Sequence, residues 1–223
     1  MAEKFERLKK IVAWAYEKSA FYQKSFQKHG VAPEDIQSLA DVEKLPLLTR
    51  EEIRGNEFEI LTLPLSSIIR VAQFDGIIKF YTKGDIQNGV EMMTRCLMAA
   101  GVLRGSIVGI AGDLSDGRIL DAINALESIG ATVILREIKN IGVDTVISTA
   151  PKGLTISRTF PTTKIFNLYA PPELGQVFLY QDAANYYFQE EHFLIEFLAG
   201  ELVITTLTAQ AQPLIRFRTG QKL

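Results

Sequence analysis

The sequence contains almost none of the residues that build covalent or metal cross-links. Its 223 residues include a single cysteine, Cys96, which excludes an intrachain disulfide and any zinc or iron–sulfur site built from several cysteines. Only two histidines are present, His29 and His192, so we expect no metal centre rich in histidine. The fold must therefore be held by an apolar core, and a chain of this length buries roughly 70% of its unfolded surface.

The sequence also lacks a strong charge of one sign and a long apolar run. Lys and Arg total 24 and Asp and Glu total 26, so the formal net charge of −2 gives no global field for nucleic acid or an anionic membrane. No apolar run approaches the roughly 20 residues of a membrane-spanning helix. The opening MAEKFERLKK has no apolar signal-peptide core. We expect a cytoplasmic protein with no nucleic-acid and no membrane partner.

The N-terminal residues show apolar spacing typical of helices. Apolar residues from Phe5 to Tyr16 recur at helical spacing, which predicts one amphipathic helix. Ser19 is placed to cap a second helix that Gly30 ends. Thr49 followed by Glu52 forms a capping-box pattern and predicts a further short helix.

Strands begin further along the chain. The β-type runs at 68–74 and 77–81 flank Asp75-Gly76, a pair typical of a tight hairpin, and Thr82 is placed to cap a helix that runs to residue 100. Buried strands are then predicted at 107–111, 131–135, 144–148 and 164–168, with a helix at 116–129. Short strands without helices follow at 176–180, 193–197, 201–207 and 214–218.

These patterns together predict an α/β fold. Strand, helix, strand at this spacing is a βαβ unit, so we expect a mainly parallel sheet flanked by helices in residues 1–175. The strand-rich remainder predicts a smaller C-terminal antiparallel sheet in residues 176–223.

Few side chains suggest chemistry by their pattern alone. Asp113 and Asp116 lie in a strand-to-helix turn, where an Asp caps a helix or the pair binds a metal or serves in acid–base chemistry. Glu173 follows an apolar strand, where a carboxylate could hold magnesium or simply face solvent. Arg216 and Arg218 are predicted on one side of a strand, either to bind a phosphate or carboxylate or to pair with acids. Cys96 fits an inert core position.

The order of several segments is familiar. YTKGDI, AAGVLRGSIV, ESIGATVI, DTVISTAP, EEHFLIE and GELVITTLTAQAQPLIRFRTG follow one another as they do in a known family. The chain resembles the phenylacetate–CoA ligases, a branch of the adenylate-forming acyl-CoA synthetases. The resemblance implies a trimmed N-terminal domain of such an enzyme, with ATP or AMP and magnesium as cofactors and a small carboxylate or nucleotide as ligand.

The resemblance also assigns site residues. Tyr169-Ala170-Pro171-Pro172-Glu173 stands at the family's Y-G-x-[ST]-E motif, so Tyr169 would lie against adenine and Glu173 would face magnesium. Arg218-Thr219-Gly220-Gln221 stands at R-T-G-D, whose Asp binds the ribose hydroxyls. Gln221 is a neutral amide that accepts at only one atom.

Other departures from the family are larger. The Ser/Thr/Gly-rich phosphate loop is replaced by residues 72–76, which supply neither its glycines nor its lysine. Only residues 152–163 stand where the family has a long segment that helps wall the acyl and adenine pockets. The sequence stops at Leu223, where the family's hinge begins, so the resemblance implies that the mobile C-terminal domain with its catalytic lysine is absent.

Three hypotheses follow. The first is a relative without self-sufficient ligase activity, which acts as a ligand- or partner-binding module. The second is an AMP-forming carboxylate–CoA ligase whose C-terminal part comes from a separate chain. The third is a structural or assembly role without a small ligand. Trimming a larger fold uncovers apolar surface, so we also predict a homodimer that uses the N-terminal helices or the face near residues 152–163.

Overall fold

The fold consists of two compact units that interleave along the chain. The computed structural model describes residues 2–74, 76–114, 116–135, 141–149, 164–169, 174, 178–182, 185–187 and 190–222. The first unit comprises residues 1–85, 172–174 and 190–223, and the second comprises residues 86–171 and 175–189.

The helices of the first unit include those that the sequence predicts before Gly30 and after Thr49. They are α1 (Ala2–Lys18), α2 (Ala20–His29), α3 (Arg50–Ile53) and α4 (Glu57–Ile60). The Ser19 side chain accepts a hydrogen bond from the N–H of Tyr22 at the start of α2, and Gly30 ends that helix with a φ of 65°. Thr49 and Glu52 form the capping box of α3. These predictions are confirmed.

The predicted hairpin is also present. Strands β1 (Arg70–Phe74) and β2 (Ile77–Tyr81) pair antiparallel, with Phe74 opposite Ile77, so only two residues make the connection. Helix α5 (Lys83–Ala99) starts after Thr82, whose N–H and hydroxyl both donate to the Asp85 carboxylate at 2.9 Å. This reciprocal contact fixes the start of the helix.

A six-stranded sheet forms the second unit together with α6 (Gly117–Ile129). Its strands are β3 (Ile107–Ala111), β4 (Thr132–Ile134), β5 (Thr145–Ser148), β6 (Lys164–Tyr169), β7 (Phe178–Asp182) and β8 (Asn185–Tyr187). The order is β4-β3-β5-β6-β7-β8, parallel from β4 to β6 and antiparallel beyond. Val108, Ile147 and Phe166 of the sheet belong to one buried cluster with Leu97 of α5 and Ile119 of α6. Cys96 lies in this cluster, as expected of a core residue.

A small antiparallel sheet completes the first unit. Its strands β9 (Phe193–Leu198), β10 (Glu201–Thr206) and β11 (Phe217–Lys222) lie in the order β11-β10-β9. The predicted fold class, a mainly parallel sheet with helices and a smaller antiparallel sheet, is therefore confirmed.

Two details differ from the sequence prediction. Strands β7 and β8 extend the six-stranded sheet, so the separate antiparallel sheet starts at Phe193 and not directly after Gly175. Strand β11 starts at Phe217 and not at residue 214, because Arg216 has a φ of 50°, outside the extended region.

Candidate functional site

A polar groove lies beside the R-T-G-Q segment of the first unit. Its cavity volume is about 490 Å³. The start of α3 lines one side, and the paired ends of β10 and β11 line the other. The lining residues are Thr49, Arg50, Glu51, Glu201, Arg218, Thr219, Gly220 and Gln221. Two of the four positions that the resemblance assigns, Arg218 and Gln221, therefore line one groove.

The Glu201 carboxylate accepts hydrogen bonds from the Arg218 side chain and from the Gly220 backbone in this groove. One oxygen accepts from Nε of Arg218 at 3.0 Å and from Nη2 of the same guanidinium. The other oxygen accepts the backbone N–H of Gly220 at 3.0 Å. Glu201 raises the pKa of the Arg218 guanidinium through these hydrogen bonds and through its charge. The charge of Arg218 is thus matched within the chain, which weakens its pull on a ligand anion.

Gln221 lines the groove and is exposed. Its backbone N–H donates to the Thr219 hydroxyl at 3.2 Å, and that hydroxyl donates to the Leu202 carbonyl at 2.8 Å. These bonds fix the backbone and leave the side-chain amide outside the strand ladder. The amide accepts hydrogen bonds at one oxygen, whereas a carboxylate accepts them at two.

Arg216 lies just before β11, so the prediction that Arg216 and Arg218 are on one side of the same strand is wrong. Its guanidinium is buried and contacts the Glu196 carboxylate, with Nη2 at 2.9 Å from Oε1. Nη1 donates to the carbonyls of Glu43 at 2.8 Å and Leu45 at 2.7 Å. Both arginines are therefore paired to acids, which was one of the two interpretations that the sequence left open.

The family's phosphate loop has no counterpart in the β1–β2 hairpin. Pairing of Phe74 with Ile77 leaves positions 75 and 76 for the turn, and Gly76 has a φ of 82°. A turn of two residues cannot present the run of backbone N–H groups that cradles a phosphate. The expected tight turn is confirmed, although Asp75 itself lies outside the described residues.

The remaining assigned positions lie at or beyond the end of β6. Tyr169 is the last residue of that strand, and Glu173 lies outside the described residues, so its magnesium role stays a prediction. Sequence reasoning missed Asn167, also on β6. Its side-chain oxygen is buried and has no hydrogen-bond partner among the described residues. The available signal was one amide in the otherwise apolar run IFNLY.

Other candidates have structural roles. Asp116 caps α6 by accepting the N–H of Arg118 at 2.9 Å, and it also binds the Arg118 guanidinium. Over the described ranges, no group of three or more His, Cys, Asp or Glu side chains is placed to hold a metal ion. No helix in the described part of the chain combines the length and hydropathy needed to cross a bilayer.

Comparison with known proteins relates this geometry to a family. No family model matches the chain. A phenylacetate–coenzyme A ligase of Aromatoleum evansii is 27% identical over an alignment that covers 98% of this chain and 64% of that protein. The Escherichia coli K12 enzyme of the same name is 32% identical over 58% of this chain and 31% of that protein. This chain is similar to the phenylacetate–CoA ligases.

Solved structures support the fold of this chain. A crystal structure of 2-hydroxyisobutyryl-CoA ligase, in an open conformation with 2-HIB-AMP and CoA, superposes with a TM-score of 0.80 at 14% identity. The superposition covers 97% of this chain and 63% of the 2-hydroxyisobutyryl-CoA ligase chain. At this identity the match supports the fold alone.

The family relatives are longer than this chain. It spans 64% of the Aromatoleum evansii protein and 63% of a Thermus thermophilus phenylacetate–coenzyme A ligase that is 23% identical. These alignments run over 286 and 282 positions, more than the 223 residues present here. The relatives therefore carry additional residues inside the matched region, in line with the internal deletion that the resemblance implied.

Proposed function

We propose that this chain is a phenylacetate–CoA ligase relative that does not form acyl-adenylates by itself and acts as a ligand- or partner-binding module. The observation that carries the proposal is the two-residue β1–β2 connection. Adenylation depends on preorganised donors that clamp the triphosphate, and losing one such donor costs roughly 3 kcal/mol of barrier. The hairpin removes several at once.

The R-T-G-Q groove supports the same proposal. Glu201 already occupies the guanidinium of Arg218 and the N–H of Gly220. Gln221 supplies an amide where the family has a carboxylate, so the ribose loses its strongest acceptor. A nucleotide would thus find weak contacts at both its phosphate and its sugar, and these must still offset the entropy of association.

The ligand that fits this proposal binds through neutral hydrogen bonds. Gln221 offers an exposed amide with one acceptor and two donors. We propose a small molecule of this kind, or a partner protein, in preference to ATP.

The alternative is an AMP-forming carboxylate–CoA ligase completed by a separate chain. The named activities of the relatives favour it, and so does the retained Arg218-Thr219-Gly220 segment. This alternative requires the chain to bind ATP with magnesium even without the phosphate loop. ATP binding therefore separates the two proposals.

The experiment is calorimetric titration of the chain with ATP and magnesium and with AMP, together with pyrophosphate release in the presence of aryl and alkyl acids. We expect no measurable heat and no pyrophosphate. Gln221→Asp restores the ribose acid, and Gln221→Asn is its matched neutral control. Heat with ATP that the Asp variant increases and the Asn variant does not would establish a working ribose pocket. That result, or pyrophosphate release, would overturn the proposal.

A further inference from the structure

A second groove, largely apolar, runs along α1 in the first unit. Its cavity volume is about 690 Å³, larger than that of the R-T-G-Q groove. The chain's single tryptophan, Trp14, lies half-buried in its wall. The lining residues are Lys10, Ile11, Ala13, Trp14 and Glu17 of α1, with Leu63, Leu207, Thr208, Ala209 and Gln210 opposite.

The α1 residues of the groove form a self-complementary stripe. Lys10, Ala13, Trp14 and Glu17 are spaced by three and four residues, so they share one face of the helix. Lys10 and Glu17 are both exposed and stand about 10 Å apart along the axis. The midpoint between them falls between Ala13 and Trp14. A two-fold rotation about that midpoint therefore exchanges Lys10 with Glu17 and Ala13 with Trp14.

We propose that this groove is the interface of a symmetric homodimer in which α1 packs antiparallel to α1 of a second copy. Lys10 of each copy then lies opposite Glu17 of the other, which gives two ion pairs related by symmetry. The small side chain of Ala13 leaves room for Trp14 of the second copy. Such pairing of one patch with itself is the geometry of a two-fold interface.

The groove chemistry favours a second copy over a small ligand. A small anion attracted by Lys10 would meet the carboxylate of Glu17 on the same stripe. A second copy instead presents both charges in reverse order. The apolar walls, including buried Leu207 and Ala209, would pack against the Trp14 of that copy, and tryptophan is enriched at the centres of interfaces.

The present contacts of the stripe do not oppose this pairing. Glu17 contacts Lys18 at 2.7 Å, and Lys18 lies 5.7 Å from the centre of the Trp14 ring. The side chains of Glu17 and Lys18 are 67% and 41% exposed, so their ion pair stabilises the chain little and is cheap to rearrange. Leu65, close in the chain to Leu63 of the groove wall, is 58% exposed and adds apolar surface.

The test is a charge swap followed by sedimentation velocity and by the emission of Trp14 on serial dilution. Lys10→Glu and Glu17→Lys each replace two attractive pairs with two repulsive ones, so we expect each to raise the dimer Kd about tenfold. The double variant recreates both pairs in reverse and should restore the Kd to near that of the wild type. Lys28→Glu and Glu34→Lys make the same charge changes at exposed sites off the stripe and should leave it unchanged.

Each other outcome overturns the proposal. A wild-type chain that stays monomeric at high micromolar concentration refutes it. An unchanged dimer Kd in both single variants also refutes it. So does a double variant whose Kd stays as high as that of the single variants. A dimer whose dissociation leaves the Trp14 emission unshifted must use another surface. Thermal unfolding of each variant by circular dichroism verifies that the chain remains folded.

Discussion

The Arg216 side chain contacts several separate segments of the first unit, so replacing it tests how much these contacts stabilise that unit. The side chain of Arg216 is 7% exposed and that of Glu196 is 13% exposed. Its Nε lies 3.2 Å from both carboxylate oxygens, while Nη1 satisfies the carbonyls of Glu43 and Leu45. Because its backbone carbonyl also accepts the N–H of Leu48 at 3.0 Å, Arg216 joins the N-terminal segment to β9 and β11.

Replacement by alanine should be costly. Arg216→Ala leaves the Glu196 carboxylate buried without its cation and two carbonyls without a donor. Removing one partner of a buried pair costs about 3–5 kcal/mol, so we expect a loss of about 4 kcal/mol in the free energy of unfolding. Alanine recovers no strain, because it is equally unfavourable at a φ of 50°. Arg216→Lys keeps the charge but loses the planar fork, and should cost about half as much.

Urea unfolding followed by circular dichroism measures this loss. The matched control is Lys24→Ala, which breaks the exposed pair of Lys24 and Glu59 at 2.9 Å and should cost less than about 0.5 kcal/mol. Pairing Arg216→Met with Glu196→Leu removes both charges and should recover most of the stability. A loss below about 1 kcal/mol for Arg216→Ala would refute the view that this pair is buried and coupled.

Two further predictions concern titratable groups. Hydrogen bonds from Lys44 and Ser38 lower the pKa of Asp41 from 3.8 to about 2, so its contribution to stability is present above pH 4 and is lost as the pH falls towards 2. Asp41→Asn should flatten this acid limb, and an NMR titration midpoint near 4 for Asp41 would contradict the assignment. Burial raises the pKa of Tyr22, whose hydroxyl oxygen accepts the N–H of Ile215 at 3.0 Å. Tyr22→Phe leaves that N–H without an acceptor and should cost about 1–2 kcal/mol in urea unfolding at pH 7, whereas no change would show that water replaces the hydroxyl.

The sequence predicted best the features that depend on neighbouring residues. Helix caps at Ser19 and Thr49, the glycine stop at Gly30 and the 75–76 turn were all readable, because each uses contacts within about four positions. The parallel direction of the central strands followed from the βαβ spacing, since crossover connections leave few alternatives.

Contacts between residues that are distant in the chain could not be predicted from the sequence. The Asp85 carboxylate accepts the N–H of Gln210 at 2.6 Å and of Ala211 at 3.1 Å, which places it 125 and 126 positions from its partners. The start of β11 was missed for a similar reason. The backbone of Arg216 has a φ outside the extended region, and its side chain contacts Glu196 and the 43–48 segment. No pattern in the neighbouring sequence indicates these contacts.

The candidate site shows the same limit. The pair of arginines in RFRTG suggested an anion site or a solvated face paired to acids, and only the fold shows that Glu201 and Glu196 occupy them. Asn167 carried no motif that sequence reasoning recognised. Asn167 is a candidate because its side-chain oxygen is buried without a hydrogen-bond partner among the described residues, and that burial depends on the folded strand.

The residues that build the fold in this chain differ from those that the family resemblance assigns to chemistry. The second unit is held by an apolar cluster that includes Val108, Leu126 and Phe166. In the first unit, the β1–β2 hairpin is anchored by buried Ile77 and Phe80, and its two-residue turn needs no phosphate to form. The short turn at this point suits the fold, because it closes the hairpin by local pairing. The architecture of this chain therefore does not by itself determine its ligand chemistry, since function depends on sites that the fold only supports.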